Sequence, residues 1–268
     1  MACEEYARQG AKKFISSSGG NAGLAVAYAG RKLGVPVTVV VPETTPERAK
    51  KLIRREGATV KTHGPSWEEA DNWAKSIDHK PIEFIHPFND SLLWEGHATI
   101  IDEIADEMAK EGVKPGAVIV SVGGGGLLCG VVQGLRRNNL GSVPVIAVET
   151  EGAHSFSKSL KAGRLEKLPE ITSIATSLGA KQVCEESLEL SKQHHIESIV
   201  VSDRSAVSAC IDFMADHRLI VEPACGAALA VAYEALPVLQ QFEVIVIIVC
   251  GGVIATPGQL LKWLDESV

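Results

Sequence analysis

Four consecutive glycines between two apolar segments constrain the fold of this chain more than any other feature. Residues 117–120 are Ala-Val-Ile-Val, which predicts a fully buried strand, and residues 127–135 predict a helix. Between them, Gly123–Gly126 form a loop whose backbone N–H groups can approach an anion at the positively polarised start of a helix. A tight turn without a ligand is the alternative. Four successive glycines argue against it, because ordering them on folding costs more conformational entropy than ordering other residues. The pattern therefore favours a site for a phosphate-type anion.

Neither of the two common phosphate-loop motifs is present in this segment. Residues 121–130, Ser-Val-Gly-Gly-Gly-Gly-Leu-Leu-Cys-Gly, match neither G-x-x-x-x-G-K-[ST] nor G-x-G-x-x-G. We therefore expect neither a P-loop nucleotide site nor the dinucleotide site of a nicotinamide oxidoreductase.

Strands alternate with helices along the whole chain, which predicts an α/β fold with parallel sheets. The predicted strands are 14–16, 37–41, 58–62, 82–85, 117–121, 143–148, 199–201 and 244–250. The predicted helices are 2–13, 24–33, 47–56, 66–76, 91–108, 127–137, 155–162, 184–193, 205–216, 226–239 and 257–263. The segment 87–90 separates a first block of about four strands from a second block with longer apolar strands. We expect a small domain at 1–90 and a large domain at 91–268.

Composition narrows the class of protein. The net charge of −7 over 268 residues, with no basic block, argues against nucleic acid as a partner. No apolar run is long enough to span a membrane, and the first residues lack the pattern of a signal peptide. Six scattered cysteines without a C-x-x-C pair predict reduced thiols in the cytoplasm rather than a disulfide framework or a zinc site. His194 and His195 lie in a polar stretch and are predicted at the surface.

Three loops follow predicted strands, where ligands bind in open α/β sheets. They are residues 17–23, the glycine loop at 123–126, and residues 250–252. The first offers hydroxyls, the carboxamide of Asn21 and backbone N–H groups, which suit a small carboxylate, although a plain N-cap turn is equally compatible. The third places the thiol of Cys250 at the end of a buried strand, where packing alone is the more common role of a cysteine.

Six segments in this order resemble the fold-type-II pyridoxal-phosphate enzymes, the tryptophan-synthase β-subunit family, and within it the eukaryotic serine/threonine ammonia-lyases. The resemblance covers nearly the whole chain. The segments are Ser17–Gly23, Val37–Pro42 followed by Thr44–Pro46, Pro87–Asp90 with Trp94–His97, Ser121–Gly130, Glu222–Ala227 and Val249–Gly252. The resemblance implies an α/β fold of two open, mostly parallel twisted-sheet lobes with the cofactor in the cleft between them. It implies elimination of water and ammonia from L-serine, and from L-threonine, to give pyruvate or 2-oxobutyrate.

The same resemblance implies roles for individual residues. Pyridoxal 5'-phosphate would be bound by Asn21, Gly123, Gly124, Gly125, Gly126, Leu127 and Cys250. Within that set, the glycines would hold the phosphate, Asn21 the phenolic oxygen, and Cys250 would face the pyridine nitrogen. A neutral thiol there would leave this nitrogen mostly unprotonated, which favours β-elimination. The substrate carboxylate would be bound by Ser17, Ser18, Gly20 and Ala22.

Further expectations rest on the resemblance alone. A monovalent cation such as K+ would be held by the carbonyls of Gly123, Ala153, Leu178 and Ala180. The protein would be a cytoplasmic homodimer that acts in amino-acid catabolism and gluconeogenesis.

One expected feature, the Schiff-base lysine, is not found in this sequence. The family carries it in a Ser-x-x-Lys-x-Arg-Gly segment upstream of the asparagine loop, and nothing before Ser17 matches that pattern. Lys12 and Lys13 are interpreted as solvated charges, and Lys158 in an S-x-x-K spacing as part of a surface helix. We therefore expect no catalytic residue in this chain and a large domain without its N-terminal part. The alternative hypothesis is a catalytically inactive relative, or a regulatory subunit, that still binds the cofactor.

Overall fold

The computed structural model describes residues 1–77 and 79–266. Its chain divides into two compact units, Met1–Leu93 and Trp94–Val268. Each unit contains a four-stranded sheet in which every paired strand is parallel, with helices in the connections. The α/β class and the parallel sheets predicted from the alternating pattern are confirmed.

The first unit is built on a sheet with the strand order β3-β2-β1-β4. The strands are β1 Lys13–Ser16, β2 Val37–Val41, β3 Thr59–Thr62 and β4 Ile82–Phe84. The helices are α1 Ala2–Arg8, α2 Asn21–Leu33, α3 Glu47–Arg55 and α4 Trp67–Ser76. All five residues of β2 are buried because this strand lies inside the sheet and is covered by α2 and α4. The carboxyl end of β1 leads directly into the loop at 17–20.

The second unit repeats this organisation with the strand order β7-β6-β5-β8. The strands are β5 Ala117–Ser121, β6 Val145–Thr150, β7 Ile196–Val201 and β8 Ile245–Ile247. The helices are α5 Ser91–Lys110, α6 Gly126–Arg137, α7 Ser155–Ala162, α8 Glu185–Ser191, α9 Asp203–His217, α10 Pro223–Tyr233 and α11 Pro257–Glu266, of which α5 begins in the first unit. Both central strands, β5 and β6, are fully buried, as near-continuous apolar sequences predict.

Some predicted boundaries are wrong, and each has a local cause. The helix predicted at 226–239 ends at Tyr233, since Ala235 takes a positive φ of 48° and Pro237 starts a separate 3-10 turn. The helix predicted at 2–13 ends at Arg8, because Gly10 has a φ of 102° and the chain then enters β1. His194, predicted at the surface, is 6% exposed, and its Nε2 lies 2.9 Å from the Val143 carbonyl oxygen.

Among residues 1–77 and 79–266, no helix combines the length and the apolar character needed to cross a membrane.

Candidate functional site

The glycine loop joins β5 to α6 in the second unit. Gly125 has a φ of 90°, a conformation that residues with side chains rarely adopt. A Cβ at Gly125 would lie 2.8 Å from the Ser187 Cβ, and a Cβ at Gly123 would lie 3.0 Å from the Leu178 Cα. Position 125 therefore requires glycine, and position 123 leaves little room for a side chain. The loop offers backbone N–H groups without side chains at the start of α6, and this donor set suits a phosphate.

Contacts with the buried residues Cys184 and Cys129 hold the loop in place within the second unit. The backbone N–H of Cys184 donates to the Gly124 carbonyl oxygen at 2.9 Å, which connects the loop to the start of α8. Below it, the sulfurs of Cys129 and Cys184 lie 3.8 Å apart, and both residues are buried. The loop is thus held by the core of its own unit, so its N–H groups are positioned before any ligand arrives.

A cavity of about 430 Å³ lies next to this loop in the second unit. It is lined by His97, Ile100, Ile104, Leu127, Ile247, Ile248, Val249 and Cys250. Two residues predicted to bind the cofactor, Leu127 and Cys250, therefore share one cavity, although 123 positions of sequence separate them. Burial lowers the pKa of His97 on the wall of this cavity, so its imidazole is neutral at pH 7.

Cys250 follows β8 at the edge of the cavity and is exposed. Its hydrogen bond with Cys225 raises the pKa of the Cys250 thiol above the ordinary value, and the nearby charge of Glu222 acts in the same direction. Cys225, at the start of α10, is fully buried. The thiol at 250 is therefore neutral at physiological pH.

The carboxylate-binding loop predicted at 17–22 lies between β1 and α2 in the first unit. The Ser18 hydroxyl oxygen accepts the Gly20 N–H at 3.2 Å, and α2 begins at Asn21. A Cβ at Gly23 would lie 1.8 Å from the Ser18 carbonyl oxygen, so the loop closes onto the first turn of α2. The Ser17 hydroxyl donates to the Asp71 carboxylate at 2.6 Å. The loop thus combines backbone N–H groups at a helix start with the Ser18 hydroxyl, whereas the Ser17 hydroxyl is engaged by Asp71.

The segments predicted to hold a cation converge within the second unit. Gly123 approaches Leu178, the Ala180 N–H donates to the Leu178 carbonyl oxygen at 2.8 Å, and the Ser155 hydroxyl donates to the Ala180 carbonyl oxygen at 3.0 Å. Ala153 is buried two residues before Ser155. Among the residues that the structure describes, no group of three or more His, Cys, Asp or Glu side chains could hold a metal ion. A cation here would therefore be bound by carbonyl oxygens.

Two buried carboxylates were not anticipated from the sequence. Asp71, on α4, is 4% exposed and accepts the Ser17 hydroxyl. Glu149, on β6, is fully buried and accepts the backbone N–H groups of Phe156 and Ser157 at 2.8 and 2.7 Å. Burial raises the pKa of Glu149 to about 7. Neither residue stands in a motif. For Glu149, the one available signal is its position as an acidic residue in an otherwise apolar strand, Val-Ile-Ala-Val-Glu-Thr.

The two lysines nearest to the loop at 17–22 lie at the wrong end of β1. Lys13 is the first residue of that strand, whereas the loop follows its last residue, Ser16. Lys12 is exposed, and its backbone N–H donates to the Pro81 carbonyl oxygen at 2.7 Å. Their position agrees with the interpretation of both side chains as solvated charges.

Comparison with known proteins identifies related sequences over nearly the whole chain. A family model described as pyridoxal-phosphate dependent enzyme matches residues 1–251. The human L-serine dehydratase/L-threonine deaminase is 48% identical over 262 residues, which cover 93% of this chain and 78% of the human one. The L-serine dehydratase of Dictyostelium discoideum is 47% identical over 249 residues, 89% of this chain and 71% of that protein.

The fold is also found among solved structures. An L-serine ammonia-lyase from the fungus Rhizomucor miehei superposes with a TM-score of 0.92 and 34% identity, over 100% of this chain and 86% of that chain. Each of these relatives bears the name of an active enzyme. The comparisons therefore give no support to the hypothesis of an inactive relative.

Proposed function

Because the chain belongs to the family of pyridoxal-phosphate dependent enzymes, we propose that it converts L-serine to pyruvate and ammonia. L-Threonine would be converted to 2-oxobutyrate and ammonia. The observation that carries this proposal is the 48% identity, over 93% of the chain, to a protein named L-serine dehydratase/L-threonine deaminase. The glycine-only loop, with its backbone donors at a helix start, supports the choice of a phosphate-bearing cofactor.

Pyridoxal 5'-phosphate, when bound, supplies an electron-withdrawing ring that weakens the bonds at the α-carbon of the amino acid. In this proposal the amides of Gly123, Gly124, Gly125 and Gly126 hold the phosphate, with Leu127 beside them. The Asn21 carboxamide donates to the phenolic oxygen. Cys250 faces the pyridine nitrogen as a neutral thiol, which its raised pKa favours. The loop residues Ser17, Ser18, Gly20 and Ala22 orient the substrate carboxylate.

A bound monovalent cation, K+, is part of the proposal. Its ligands would be the carbonyl oxygens of Gly123, Ala153, Leu178 and Ala180, and carbonyl oxygens are suitable ligands for K+. The contacts of Gly123 with Leu178 and of Ser155 with Ala180 support this set. An ion there would fix the segment that packs against the phosphate loop.

The proposal also includes a cellular setting, which rests on the family resemblance alone. We place the protein in the cytoplasm as a homodimer that degrades amino acids and supplies carbon for gluconeogenesis. The six cysteines, all unpaired as thiols, are consistent with a reducing compartment.

The reaction also needs an amine that takes the α-proton, and no lysine of the 268 residues is assigned this role. The protein expressed from its full coding sequence should therefore be incubated with pyridoxal phosphate, reduced with borohydride and digested. A single cofactor-modified peptide would identify the lysine. Unselective modification of several lysines would argue against a specific cofactor site.

Activity is tested by coupling pyruvate formation to lactate dehydrogenase and NADH, with L-serine as substrate. The wild type should form pyruvate, and Asn21→Ala should lower kcat/KM by about 100-fold, since a positioned donor is lost. Asn72→Ala is the matched control, because Asn72 is an exposed asparagine on α4 of the same unit. A protein that binds pyridoxal phosphate but forms no pyruvate from L-serine would refute the proposal.

A further inference from the structure

Ser17 and Asp71 form a buried hydrogen bond across 54 positions of sequence. The Ser17 hydroxyl donates to Asp71 Oδ1 at 2.6 Å, and the two residues are 0% and 4% exposed. Ser17 follows the last residue of β1, and Asp71 lies in the middle of α4. A hydrogen bond to an ionised acceptor is stronger than a neutral one, and it is strengthened further when water is excluded.

The Asp71 carboxylate is satisfied on both oxygens. Oδ2 accepts the Lys75 ammonium at 2.6 Å, one turn later on α4, and the Lys75 side chain is 47% exposed. The buried charge is therefore paired, and Oδ1 remains directed at Ser17. Since a serine has one hydroxyl proton, donation to Asp71 prevents Ser17 from donating it to a ligand at the same time.

Ser18 has the opposite arrangement. Its hydroxyl oxygen accepts the Gly20 N–H at 3.2 Å, which leaves its own proton available for donation. It is also less buried than Ser17. The Ser17 hydroxyl is thus engaged as a donor, whereas the Ser18 hydroxyl is engaged as an acceptor.

We infer that Asp71 is a positioning residue, which anchors Ser17 and so fixes the loop at 17–22, whereas Ser18 donates its hydroxyl to the substrate carboxylate. This inference rests on the proposed function, because it names which part of the loop meets the amino acid. Asp71 acts through the loop backbone and contacts no substrate. Removing it should weaken substrate binding rather than the chemical step.

The experiment compares five variants of the full protein: Asp71→Ala, Asp71→Asn, Ser17→Ala, Ser18→Ala and the double variant Ser17→Ala/Asp71→Ala. Lys75→Met is the matched control, because it removes the other partner of Asp71 and leaves the Ser17 bond. Hydrogen exchange of the backbone amides at 17–23, followed by mass spectrometry, reports the order of the loop without reference to activity. Steady-state kinetics with L-serine separate KM from kcat.

Asp71→Ala and Ser17→Ala should each speed exchange at 17–23 about tenfold, because the anchor is lost, and raise KM about tenfold with kcat within about twofold. The double variant Ser17→Ala/Asp71→Ala should be no worse than either single variant, since both remove one interaction. Asp71→Asn retains an acceptor oxygen for Ser17. Its exchange rate at 17–23 and its KM should therefore stay within about threefold of the wild-type values. Ser18→Ala should raise KM with the exchange rate unchanged.

A purely structural role would give a different pattern. Exchange would then rise throughout residues 1–93 in Asp71→Ala, and KM would stay at its wild-type value, which would overturn the inference. Equal effects of Lys75→Met and Asp71→Ala on the loop would overturn it as well. If the wild type forms no pyruvate, the proposed function fails, and the exchange data alone still decide whether Asp71 orders the loop.

Discussion

The backbone at Gly130 lies against His97, so that a Cβ at residue 130 would be 2.3 Å from the His97 Cβ and 2.7 Å from the Trp94 carbonyl oxygen. These distances are far inside van der Waals contact. The helices α5 and α6 therefore pack at a separation that only glycine permits at this position. Because His97 lines the cavity that contains Leu127 and Cys250, this contact sets the position of one cavity wall.

Gly130→Ala should lower the free energy of unfolding by about 2–3 kcal/mol, since the added methyl group forces the two helices apart. Gly258→Ala is the matched control in α11, where an added Cβ meets nothing within 4 Å. That variant should be neutral or up to about 1 kcal/mol more stable, because alanine favours a helix. Urea denaturation measures both. Equal losses in the two variants would contradict the steric explanation.

Gly125→Ala should weaken the binding of pyridoxal phosphate by more than about tenfold, because both the φ of 90° and the 2.8 Å approach to Ser187 forbid a Cβ. Absorbance titration with the cofactor measures the Kd. Gly163→Ala has a similar backbone strain, with a φ of 66°, but an added Cβ there meets nothing within 4 Å. It should lose about 1 kcal/mol of stability and keep its affinity for the cofactor. Weakened cofactor binding in both variants would mean that backbone strain anywhere in the unit lowers the affinity, and that the glycine loop has no specific role.

Local patterns predicted those parts of the fold that local interactions determine. The strands at 37–41 and 117–121 were predicted to the residue, because continuous β-branched runs can only be buried on both faces. The start of α4 is a local signal of the same kind, since the side chains of Ser66 and Glu69 accept each other's backbone N–H groups within one turn. The position of the glycine loop between β5 and α6 follows from the same kind of signal.

Interactions between distant segments could not be predicted in this way. Nothing near Asp71 in the sequence indicates that Ser17 lies against it, because the contact depends on how α4 packs on the sheet. His194 lies in a polar stretch, yet the Val143 carbonyl oxygen holds it in a buried position. The early end of α10 depends on the positive φ of Ala235, which no residue preference would suggest.

His86 should make the stability of the first unit depend on pH. Its Nδ1 accepts the backbone N–H groups of Phe88 and Asn89 at 3.2 and 2.9 Å, and these bonds require an unprotonated Nδ1. Burial, followed by the nearby charge of Lys75, lowers the pKa of His86 from 6.5 to about 4. Between about pH 4 and pH 6.5, the unfolded chain therefore binds a proton at His86 that the folded chain does not. The contribution of His86 should be complete above pH 6.5 and should disappear as the pH falls to about 4.

The expected loss is about 2 kcal/mol once solvent screening at this half-buried site is allowed for. Urea denaturation at several pH values between 4 and 7 measures it, with NMR titration of the His86 ring as a direct check. His86→Asn is the matched variant, because its side-chain oxygen can accept the same N–H groups without titrating in this range. An equal pH dependence in the wild type and in His86→Asn would show that carboxylates cause the whole effect.

Cys250 should react slowly with iodoacetamide at pH 7.5, even though it is exposed, because its hydrogen bond with Cys225 raises the pKa of the Cys250 thiol and only the thiolate is alkylated. Cys225→Ala removes that partner and should accelerate alkylation of Cys250 about tenfold or more. Mass spectrometry of the peptide that contains residue 250 measures the rate, with Cys210→Ala as a control at another buried thiol. Fast alkylation in the wild type would mean that a substantial thiolate is present at pH 7.5, and the proposed neutral contact with the pyridine nitrogen would then be wrong.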